Sequence, residues 1–399
     1  MANAYTSTGS TTLGGTVGGA GLVQKAYDRL LEFALRAEPL IRSVADKTPA
    51  QQSIPGSTVV LQKYVDLNAV TDTLTETVDP DSVALSTPNT VTITLNEYGN
   101  SVLVTRALEL FSLADVDPAI ANVIAFNLAD SIDKVAMTTL NGGTNVIYGG
   151  STATSTATIT AAATLDSADI RKAVAKLRSA KAAYRKGSLY WTGIHPEVSH
   201  DLRAETGAAG WRDPHNYSDV DKIYAGEIGQ YEGAFFVESP RLYSTKSGAD
   251  QTALATTTAT VAGTSAGFTI GVASSSVIAS RAEVGDKIAA TGIASGAKIT
   301  AISTSGSTTT ITVDTANTAA VTVGATVTVT PVTRVFSTIV CGKQALAQAV
   351  AEEPHTVIGP VVDKLMRFRP MGWYGVLGFA RYREEALYRL ETGSSIAAL

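Results

Sequence analysis

The sequence predicts an α+β protein into which a small all-β module has been inserted. Three observations support this prediction: an amphipathic helical pattern over residues 117–140, β-branched runs at residues 58–67 and 91–95, and an abrupt change of composition after Pro240. The chain has 399 residues, 45% of them hydrophobic, which is enough for several domains with cores of their own.

The overall composition excludes several classes of function. The formal net charge is -5, whereas a dedicated nucleic-acid binder carries a basic surface. With Cys341 as its one cysteine, the chain cannot build an internal disulfide or a cysteine-based metal site. No apolar run is long enough to span a bilayer. We therefore expect a soluble protein with no cofactor, no metal and no membrane partner.

An acidic hairpin is predicted early in the chain. Residues 58–67 and 91–95 show the pattern of half-buried strands. The segment between them is polar, acidic and interrupted by Pro80. Because a two-stranded ribbon buries little of itself and is barely stable alone, we expect an arm that reaches outward and needs a neighbour to lie on.

Three long helices are predicted, and a shorter one is predicted to begin at Pro196. One covers residues 22–37, after a Gly- and Ser-rich stretch that should be flexible. The next, over residues 117–140, has Asp117 as its cap and an apolar stripe on one face. Its opposite, polar face is predicted to hold Asn122, Asn127, Asp130, Asp133 and Lys134. The third covers residues 167–184 and is ended by Gly187, with basic residues at its C-terminal end, where the helix dipole favours them.

The inserted module is marked by its composition. Between residues 251 and 330 the only charged residues are Arg281, Glu283, Asp286, Lys287, Lys298 and Asp314, and Phe268 is the only aromatic one. Glycine turns separate short β-branched runs, which predicts a small all-β fold. An independent unit placed in a loop of its host needs its two ends close together, so residues near 250 and 331 should be neighbours.

Motifs for chemistry are present only in incomplete form. His195 and His200 in HPEVSH are five residues apart, whereas a zinc-protease helix needs a spacing of four; we interpret them as surface histidines at a helix start. GTSAG around Ser265 matches a hydrolase elbow, but it lies in a Ser/Gly-rich β module without histidine. Cys341 follows an apolar run and is predicted to be buried. No catalytic residue is predicted.

Several segments, taken in order, resemble a known family. They are LRAEPL (35–40), the helix beginning at Asp117-Pro118, WTGIHPEVSHDLRAE, GEIGQYEG (226–233) and GWY (372–374). Together they resemble the major capsid proteins of tailed bacteriophages, in particular the coat-protein family of the coliphage N-four type, which has the Hong Kong 97-type capsid fold. The resemblance covers residues 22–244 and 334–391. The core of the module, from Asp286 to Ile299, resembles the small β-sandwich or immunoglobulin-like decorations of phage structural proteins.

The resemblance implies a domain plan and a function. The expected function is self-assembly into hexamers and pentamers of an icosahedral head that encloses double-stranded DNA without reading its sequence. Its further partners would be portal, scaffold and decoration proteins, and the head would assemble in the bacterial host cytoplasm. The domains expected are an N-terminal arm (1–21), a helical region (22–57), an extended loop (58–105), a peripheral domain with a spine helix (106–164), an axial domain (165–246), the inserted module (247–333) and a return to the axial and peripheral domains (334–399).

Charged residues suggest which surfaces meet between copies. The acidic tip of the extended loop (Asp72, Glu76, Asp79, Asp81) is expected to contact basic groups of a neighbour. The candidates are Arg367 and Arg369, or the cluster Arg178, Lys181, Arg185 and Lys186. An exposed ion pair is worth only ~0.2–1 kcal/mol, so we expect repetition and buried apolar area to supply the strength.

Other interpretations stay open on the sequence alone. An encapsulin-type shell loaded with enzyme and a phage tail-tube protein are alternatives in the same structural class. A serine hydrolase that uses Ser265 is the enzymatic alternative. The module itself fits bracing between capsomers and non-specific adhesion to host surfaces equally well.

Overall fold

The computed structural model describes residues 39–48, 57–64, 66–67, 69–71, 73–74, 76, 79, 82–84, 89–106, 116–150, 153–205, 227–264, 267, 269–360, 365 and 367–396. The predicted arm (1–21) and the predicted helix over residues 22–37 lie outside these residues, as does Ser265. Within the described part, no helix has the length and apolar character that a membrane crossing requires.

Helices and strands alternate along the described chain. The helices are α1 (Val116–Asn141), α2 (Ser167–Ser179), α3 (Pro196–Ala204) and α4 (Val277–Arg281), with 3₁₀ turns at Ile41–Val44, Thr156–Thr158 and Glu384–Ala386. The strands are β1 (Asp46–Thr48), β2 (Thr58–Lys63), β3 (Asn89–Thr94), β4 (Asn96–Thr105), β5 (Val146–Tyr148), β6 (Tyr190–Ile194), β7 (Glu227–Tyr231), β8 (Ala234–Glu238), β9 (Ser244–Asp250), β10 (Thr257–Val261), β11 (Thr269–Ala273), β12 (Lys287–Ala290), β13 (Ile299–Ser305), β14 (Thr308–Val313), β15 (Thr326–Thr330), β16 (Val332–Cys341), β17 (Leu346–Ile358), β18 (Phe368–Arg381) and β19 (Leu387–Thr392).

The chain forms two compact units. The larger one comprises residues 37–97, 130–353 and 376–399, and the described residues of the smaller one fall within 98–129 and 354–375. The domain limits expected from the sequence divide the chain more finely than this and stay predictions.

A seven-stranded sheet organises the larger unit. Its strand order is β5-β19-β16-β6-β8-β7, and β9 pairs with β16 beside this path. The two faces are covered by different elements: residues of α1 such as Met137 and Leu140 pack on one face with Trp191, and α2 and α3 pack on the other face with Phe236 and Phe336. Because both faces are covered, a strand such as β16 is buried along nearly its whole length.

The C-terminal part of α1 differs from the sequence prediction. Asp133, predicted on the polar face, is buried, with an exposed fraction of 2%. One carboxylate oxygen accepts the backbone N–H of Arg42 at 3.0 Å, and the other lies 3.4 Å from Nε of Arg241. A buried charge is tolerated only when it is paired and hydrogen-bonded, and residues distant in sequence supply these partners. The helix also includes Asp117, which the sequence predicts as its cap.

Helix α2 ends five residues earlier than predicted. Asp166 caps its start as expected, accepting the N–H of Asp169 at 2.8 Å. At the other end Lys181 adopts a left-handed backbone with φ of 56°. The N–H groups of Lys181 and Ala182 then donate to the carbonyls of Arg178 and Leu177, both at 3.0 Å. This is the Schellman arrangement that glycine usually makes, and here a lysine makes it.

The smaller unit has a compact apolar cluster of its own. Val104 from β4, Ile124 from α1, and Met371 and Trp373 from β18 form its buried centre. The indole N–H of Trp373 donates to Oδ1 of Asn127 at 2.9 Å, so this asparagine faces inward although the sequence placed it on the polar side. Next to the tryptophan, β4 passes so near that a Cβ at position 372 would lie 2.6 Å from O of Asn100. Only glycine fits there.

The predicted hairpin is present in the larger unit. Strands β2 and β3 pair antiparallel, with Thr58 opposite Thr94 and Lys63 opposite Asn89. Ile93 is fully buried and packs against Ala347 and Ala349 of the same chain. The expectation that the ribbon lacks support of its own is therefore wrong for its paired strands, because they rest on their own subunit.

The inserted module has a separate sheet and a separate core. Its strand order is β12-β15-β10-β11-β14-β13, and every described pairing in it is antiparallel. The buried core side chains, from Ala259 to Val329, are all alanine, isoleucine or valine. The two ends are neighbours as predicted: β9 pairs with β16, and N–H of Gln251 donates to O of Pro331 at 2.8 Å. The expected immunoglobulin-like topology stays a prediction.

Candidate functional sites

The acidic loop between β2 and β3 carries exposed apolar side chains. Val70 and Leu74 have exposed fractions of 81% and 76%, and Val83 one of 75%. Of the four predicted contact acids, Glu76 and Asp79 are exposed, whereas Asp72 and Asp81 lie outside the described residues. Exposed apolar and acidic groups on one loop are typical of a surface that contacts another molecule.

The basic candidates in the larger unit have different environments. Arg178 and Lys181 are exposed at the end of α2. Arg185 is largely covered: its guanidinium lies 3.5 Å from Asp46 and donates to O of Ser43 at 3.2 Å. Nζ of Lys186 lies 5.1 Å from the ring centre of Phe235. Within this chain, therefore, Arg185 already has an acidic partner, and Arg178 and Lys181 present their side chains to solvent.

The other two candidates lie in the smaller unit. Arg367 is exposed and its guanidinium carbon lies 5.2 Å from the ring centre of Phe368. Its carbonyl accepts the N–H of Arg106 at 2.9 Å, which joins the start of β18 to the end of β4. Arg369 is half-buried in β18. Whether these residues meet an acidic loop stays a prediction.

A basic groove lies in the larger unit beside Lys63, the residue at which β2 ends and the acidic loop begins. It has a volume of about 320 Å³ and is lined by residues from four separate parts of the chain. Its charged lining residues are Lys63, Lys181, Lys343, Arg383 and Glu385. Four cations against one carboxylate give this groove an excess of positive charge, which favours contact with acidic groups. We call it the basic groove.

Two turns hold the walls of the basic groove in place. Lys181 and Gln344 both have left-handed backbones, with φ of 56° and 61°. N–H of Lys343 donates to O of Ala183 at 2.9 Å, and N–H of Arg383 donates to O of Gln344 at 3.1 Å. Each turn is hydrogen-bonded to the other turn or to the C-terminal segment. The backbone positions of Lys181, Lys343 and Arg383 are therefore fixed. Such non-glycine left-handed residues are uncommon and concentrate at functional sites.

One internal ion pair occupies part of the basic groove. Nζ of Lys63 lies 3.0 Å from Oε1 of Glu385. A backbone hydrogen bond to its own N–H, followed by the contact with Lys63, holds the pKa of Glu385 below its usual value. This carboxylate therefore stays charged at neutral pH. It neutralises Lys63 and leaves Lys181, Lys343 and Arg383 as the excess positive charge.

The sequence pointed to one member of this groove and missed the others. Lys181 was among the predicted contact residues, but Lys63, Lys343 and Arg383 were not. They come from β2, from the turn after β16 and from the turn after β18. No local pattern links positions so far apart, because only the pairing of the strands brings them to one surface.

A second charged cluster lies where the inserted module joins its host. Asp286 of the module is buried and accepts three hydrogen bonds, from Nζ of Lys246 at 2.6 Å and from the N–H groups of Glu283 and Val332 at 2.8 and 3.1 Å. Nζ of Lys246 also lies 3.0 Å from Glu283, which Arg334 contacts at 3.1 Å. A cleft of about 620 Å³ adjoins these residues. We call this cluster the junction network.

The junction network ties the module to the strands that carry it. Lys246 is in β9 and Arg334 is in β16, so both cations belong to the host. The hydrogen bonds and ion pairs from Lys246 and Arg334 keep the pKa of Glu283 low. A buried ion pair supported by further hydrogen bonds favours one arrangement over others. The network therefore fixes the orientation of the module relative to β9 and β16.

The histidine motif has a structural role in the described chain. His195 is half-buried, its ring centre lies 4.7 Å from that of Phe336, and its Nδ1 accepts the N–H of Glu197 at 3.3 Å as the cap of α3. Burial and the charge of Arg334 lower the pKa of His195 to about 4. The interpretation as a surface residue is therefore wrong for His195. His200 is exposed as predicted.

No catalytic or metal centre emerges from the described residues. Cys341 is fully buried, and burial raises the pKa of its thiol to about 12, so it is not a thiolate nucleophile at neutral pH. No cluster of His, Cys, Asp and Glu in the described part has the geometry to hold a metal ion.

Comparison with known proteins gives a consistent result. The family described as phage capsid protein matches residues 41–388. Among curated proteins, none matches this chain. The solved capsid of Ralstonia phage GP4 has a TM-score of 0.61 at 13% identity, covering 94% of this chain and 96% of that one. The capsid asymmetric unit of cyanophage Pam1 has a TM-score of 0.59 at 12% identity, covering 94% and 97%. A chain of Mycobacterium phage Che8 has a TM-score of 0.54 at 13% identity, covering 93% and 97%. The capsid fold expected from the sequence is confirmed.

Proposed function

Because this chain belongs to the phage capsid protein family and is a structural protein of the virion's head shell, we propose that its copies form the hexamers and pentamers of an icosahedral head around double-stranded DNA. Heterologous contacts that close on themselves generate such rings. The mildly acidic chain suits a container that does not bind its DNA tightly.

The observation that supports the proposal is a complementary pair of surfaces on one chain. The loop between β2 and β3 carries acids and exposed apolar side chains, and the basic groove carries Lys181, Lys343 and Arg383 as excess positive charge. We propose that the loop tip of one subunit lies at the basic groove of its neighbour. In this arrangement Lys181 is the predicted contact residue that acts, together with the newly found Lys343 and Arg383.

The two kinds of side chain contribute differently to this contact. Fully burying Val70 or Leu74 contributes about 1.5–3 kcal/mol each, whereas one exposed ion pair contributes ~0.2–1 kcal/mol. The apolar side chains therefore supply most of the free energy of association. The charges select the partner surface and set the register, since wrong pairings place like charges together.

Further parts of the proposal follow from the family rather than from a described site. Portal, scaffold and decoration proteins are the proposed partners, and the host cytoplasm is the proposed place of assembly. The proposed division of the chain keeps the limits given under Sequence analysis, with residues 247–333 as an immunoglobulin-like decoration. We propose no enzymatic activity, which predicts that the intact protein is not labelled by a fluorophosphonate.

Charge reversal with rescue tests the proposed contact. The double variant Glu76→Lys with Asp79→Lys should stop head formation, because it places positive charge against the basic groove. Adding Lys181→Glu and Lys343→Glu should restore heads by restoring opposite charges. Arg281→Glu, which reverses one exposed charge on the module outside the groove, is the matched control and should assemble normally.

Negative-stain electron microscopy and sedimentation of the purified full chain give the readout. Normal heads from the Glu76→Lys and Asp79→Lys variant would contradict the contact between loop tip and basic groove. Stacked rings, or isolated subunits, from the unaltered chain would contradict the head-shell proposal itself. Heads without packaged DNA but with a bound enzyme would favour the encapsulin-type alternative.

A further inference from the structure

The two edge strands of the module's sheet differ in whether their outer side is covered. Strand β12, at one edge, is short and is covered by residues 297–299, which end in the first residue of β13: N–H of Ile288 donates to O of Ala297, and N–H of Ile299 donates to O of Asp286, both at 2.9 Å. Strand β13, at the other edge, pairs with β14 on one side. Among the described residues no strand lies on the outer side of residues 300–305.

The open edge lacks the usual protection against pairing. Natural proteins protect edge strands with charges, proline, short length or bulges. Residues 299–313 contain no charged residue and no proline, and five of the six residues from Thr300 to Ser305 are exposed. The one irregularity of β13 is a register shift between Ile299 and Ala301. The rest of the strand pairs regularly with β14, and the backbone groups on its other side face no strand among the described residues.

The hairpin geometry shows which backbone groups face outward. Ser305 and Thr308 close a two-residue turn in which Gly306 has φ of 59°. In such a hairpin the closing pair is hydrogen-bonded and the next pair is not. The hydroxyl groups of that next pair, Thr304 and Thr309, lie 2.9 Å apart, as expected for the closer side-chain spacing there. Thr304 therefore turns its N–H and C=O away from β14.

We propose that β13 pairs antiparallel with β13 of a neighbouring copy of this chain, across a two-fold axis. This inference rests on the proposed function, because a head holds many copies and a two-fold axis relates pairs of them. An uncharged strand can meet its own copy without like-charge repulsion, and Thr/Ser side chains form favourable cross-strand pairs. An uncovered edge displayed in many copies would also join one head to another unless it is occupied within the head.

The two-fold geometry makes a specific prediction about one residue. Residues opposite each other in an antiparallel pair lie on the same face of the sheet. Two identical strands related by a two-fold axis therefore place one residue directly opposite its own copy. A cysteine at that position meets the same cysteine of the neighbour, at a distance that a short cross-link can span.

Single cysteines along the edge provide the experiment. Thr300, Ala301, Ser303, Thr304 and Ser305 are each changed to Cys in the full chain, and assembled heads and unassembled subunits are treated with a short bismaleimide. Thr310→Cys is the matched control, since Thr310 is exposed but lies on the interior strand β14. The native Cys341 is fully buried and should not react, which the unaltered chain checks.

We expect at least one edge variant to give covalent dimers in heads and none in unassembled subunits, with no dimer from Thr310→Cys. Adding Ser303→Lys to a cross-linking variant at another edge position should abolish the dimer, because both paired edges then carry a lysine, a charge that blocks edge-to-edge pairing, whereas adding Thr310→Lys should not. Heads that form normally but give no dimer from any edge position would overturn the pairing and leave the head-shell proposal intact. Edge cysteines that cross-link to a different protein would also overturn it. Failure of the unaltered chain to form heads would count against the proposed function instead.

Discussion

The seven-stranded sheet and the inserted module hold their cores together with different side chains. The sheet buries aromatic residues, among them Tyr190, Phe236 and Phe336 on the face covered by α2 and α3. The apolar core of the module consists of alanine, isoleucine and valine alone, within an antiparallel sheet. Large rings fill the space between layers of helix and sheet, whereas the module packs its strands with small and β-branched side chains, which suit a pleated surface. Two cores of such different composition on one chain imply that each stabilises its own region.

The largest effect should come from truncating one core at a time. Phe336→Ala removes a fully buried ring from the host and should lower its free energy of unfolding by about 3–5 kcal/mol. Ile311→Ala removes a fully buried side chain from the module and should lower the module's free energy of unfolding by about 2–5 kcal/mol. Both residues have an exposed fraction of 0%.

Two probes separate the two regions in this experiment. All three tryptophans lie outside the module, so tryptophan fluorescence during denaturation of unassembled subunits follows the host, and far-ultraviolet circular dichroism follows both. Phe336→Ala should shift the fluorescence midpoint, and Ile311→Ala should leave it in place. Equal shifts of both probes in both variants would show that the host and the module unfold as one cooperative unit.

The junction network should show the next largest effect. Asp286→Ala leaves Lys246 and two backbone N–H groups without their buried acceptor, which should cost about 1–3 kcal/mol. The expected result is faster cleavage of residues 251–256 in limited proteolysis, because the module is then less firmly attached to β9 and β16. Asp286→Asn retains two of the three acceptor contacts and is expected to be intermediate. Cleavage at the unaltered rate in Asp286→Ala would show that β9 and β16 alone position the module.

The smallest effect concerns pH and the host core. The pKa of His195 is about 4 in the folded chain against an ordinary 6.5. The neutral ring therefore contributes stability that is complete above pH 6.5 and is lost as the pH falls toward 4. The pKa difference corresponds to at most about 3 kcal/mol, and to about 1–2 kcal/mol for a half-buried ring that solvent screens.

Two substitutions at one position check this pH dependence. His195→Asn keeps an acceptor for the N–H of Glu197 and should be nearly as stable as the unaltered chain at pH 7, with a shallower loss of stability between pH 6.5 and 4. His195→Ala removes the acceptor, so it should be less stable than His195→Asn by about 0.5–2 kcal/mol across this pH range, with the same shallow slope. Thermal unfolding of subunits across this pH range measures both. An unchanged slope in His195→Asn would assign the acid sensitivity to other groups.

Local sequence patterns predicted a structural element correctly where the contacts that stabilise it lie within one stretch of chain. The module could be predicted from composition because its core is made of small and β-branched residues of one continuous stretch of chain. That its two ends lie close together follows from its insertion into a loop of the host. Helix α1 and the hairpin were visible in their periodicity. The end of α2 was misplaced because the sequence offers Gly187 as a stop, whereas the chain turns at Lys181, where the strand carrying Tyr190 must return to the sheet.

Patterns along the chain therefore identified most of the helices and strands, the capsid-like order of the segments and the boundary of the module. Which charged residues are buried in ion pairs, and which line the basic groove, depends on contacts that form only in the folded chain. Asp133 and Asp286 look like surface acids in the sequence but are buried against Arg241 and Lys246, and the basic groove gathers Lys63, Lys343 and Arg383 from distant strands. The physical reason is that periodicity and composition are properties of neighbours along the chain, whereas a charge owes its role to partners that only folding brings near.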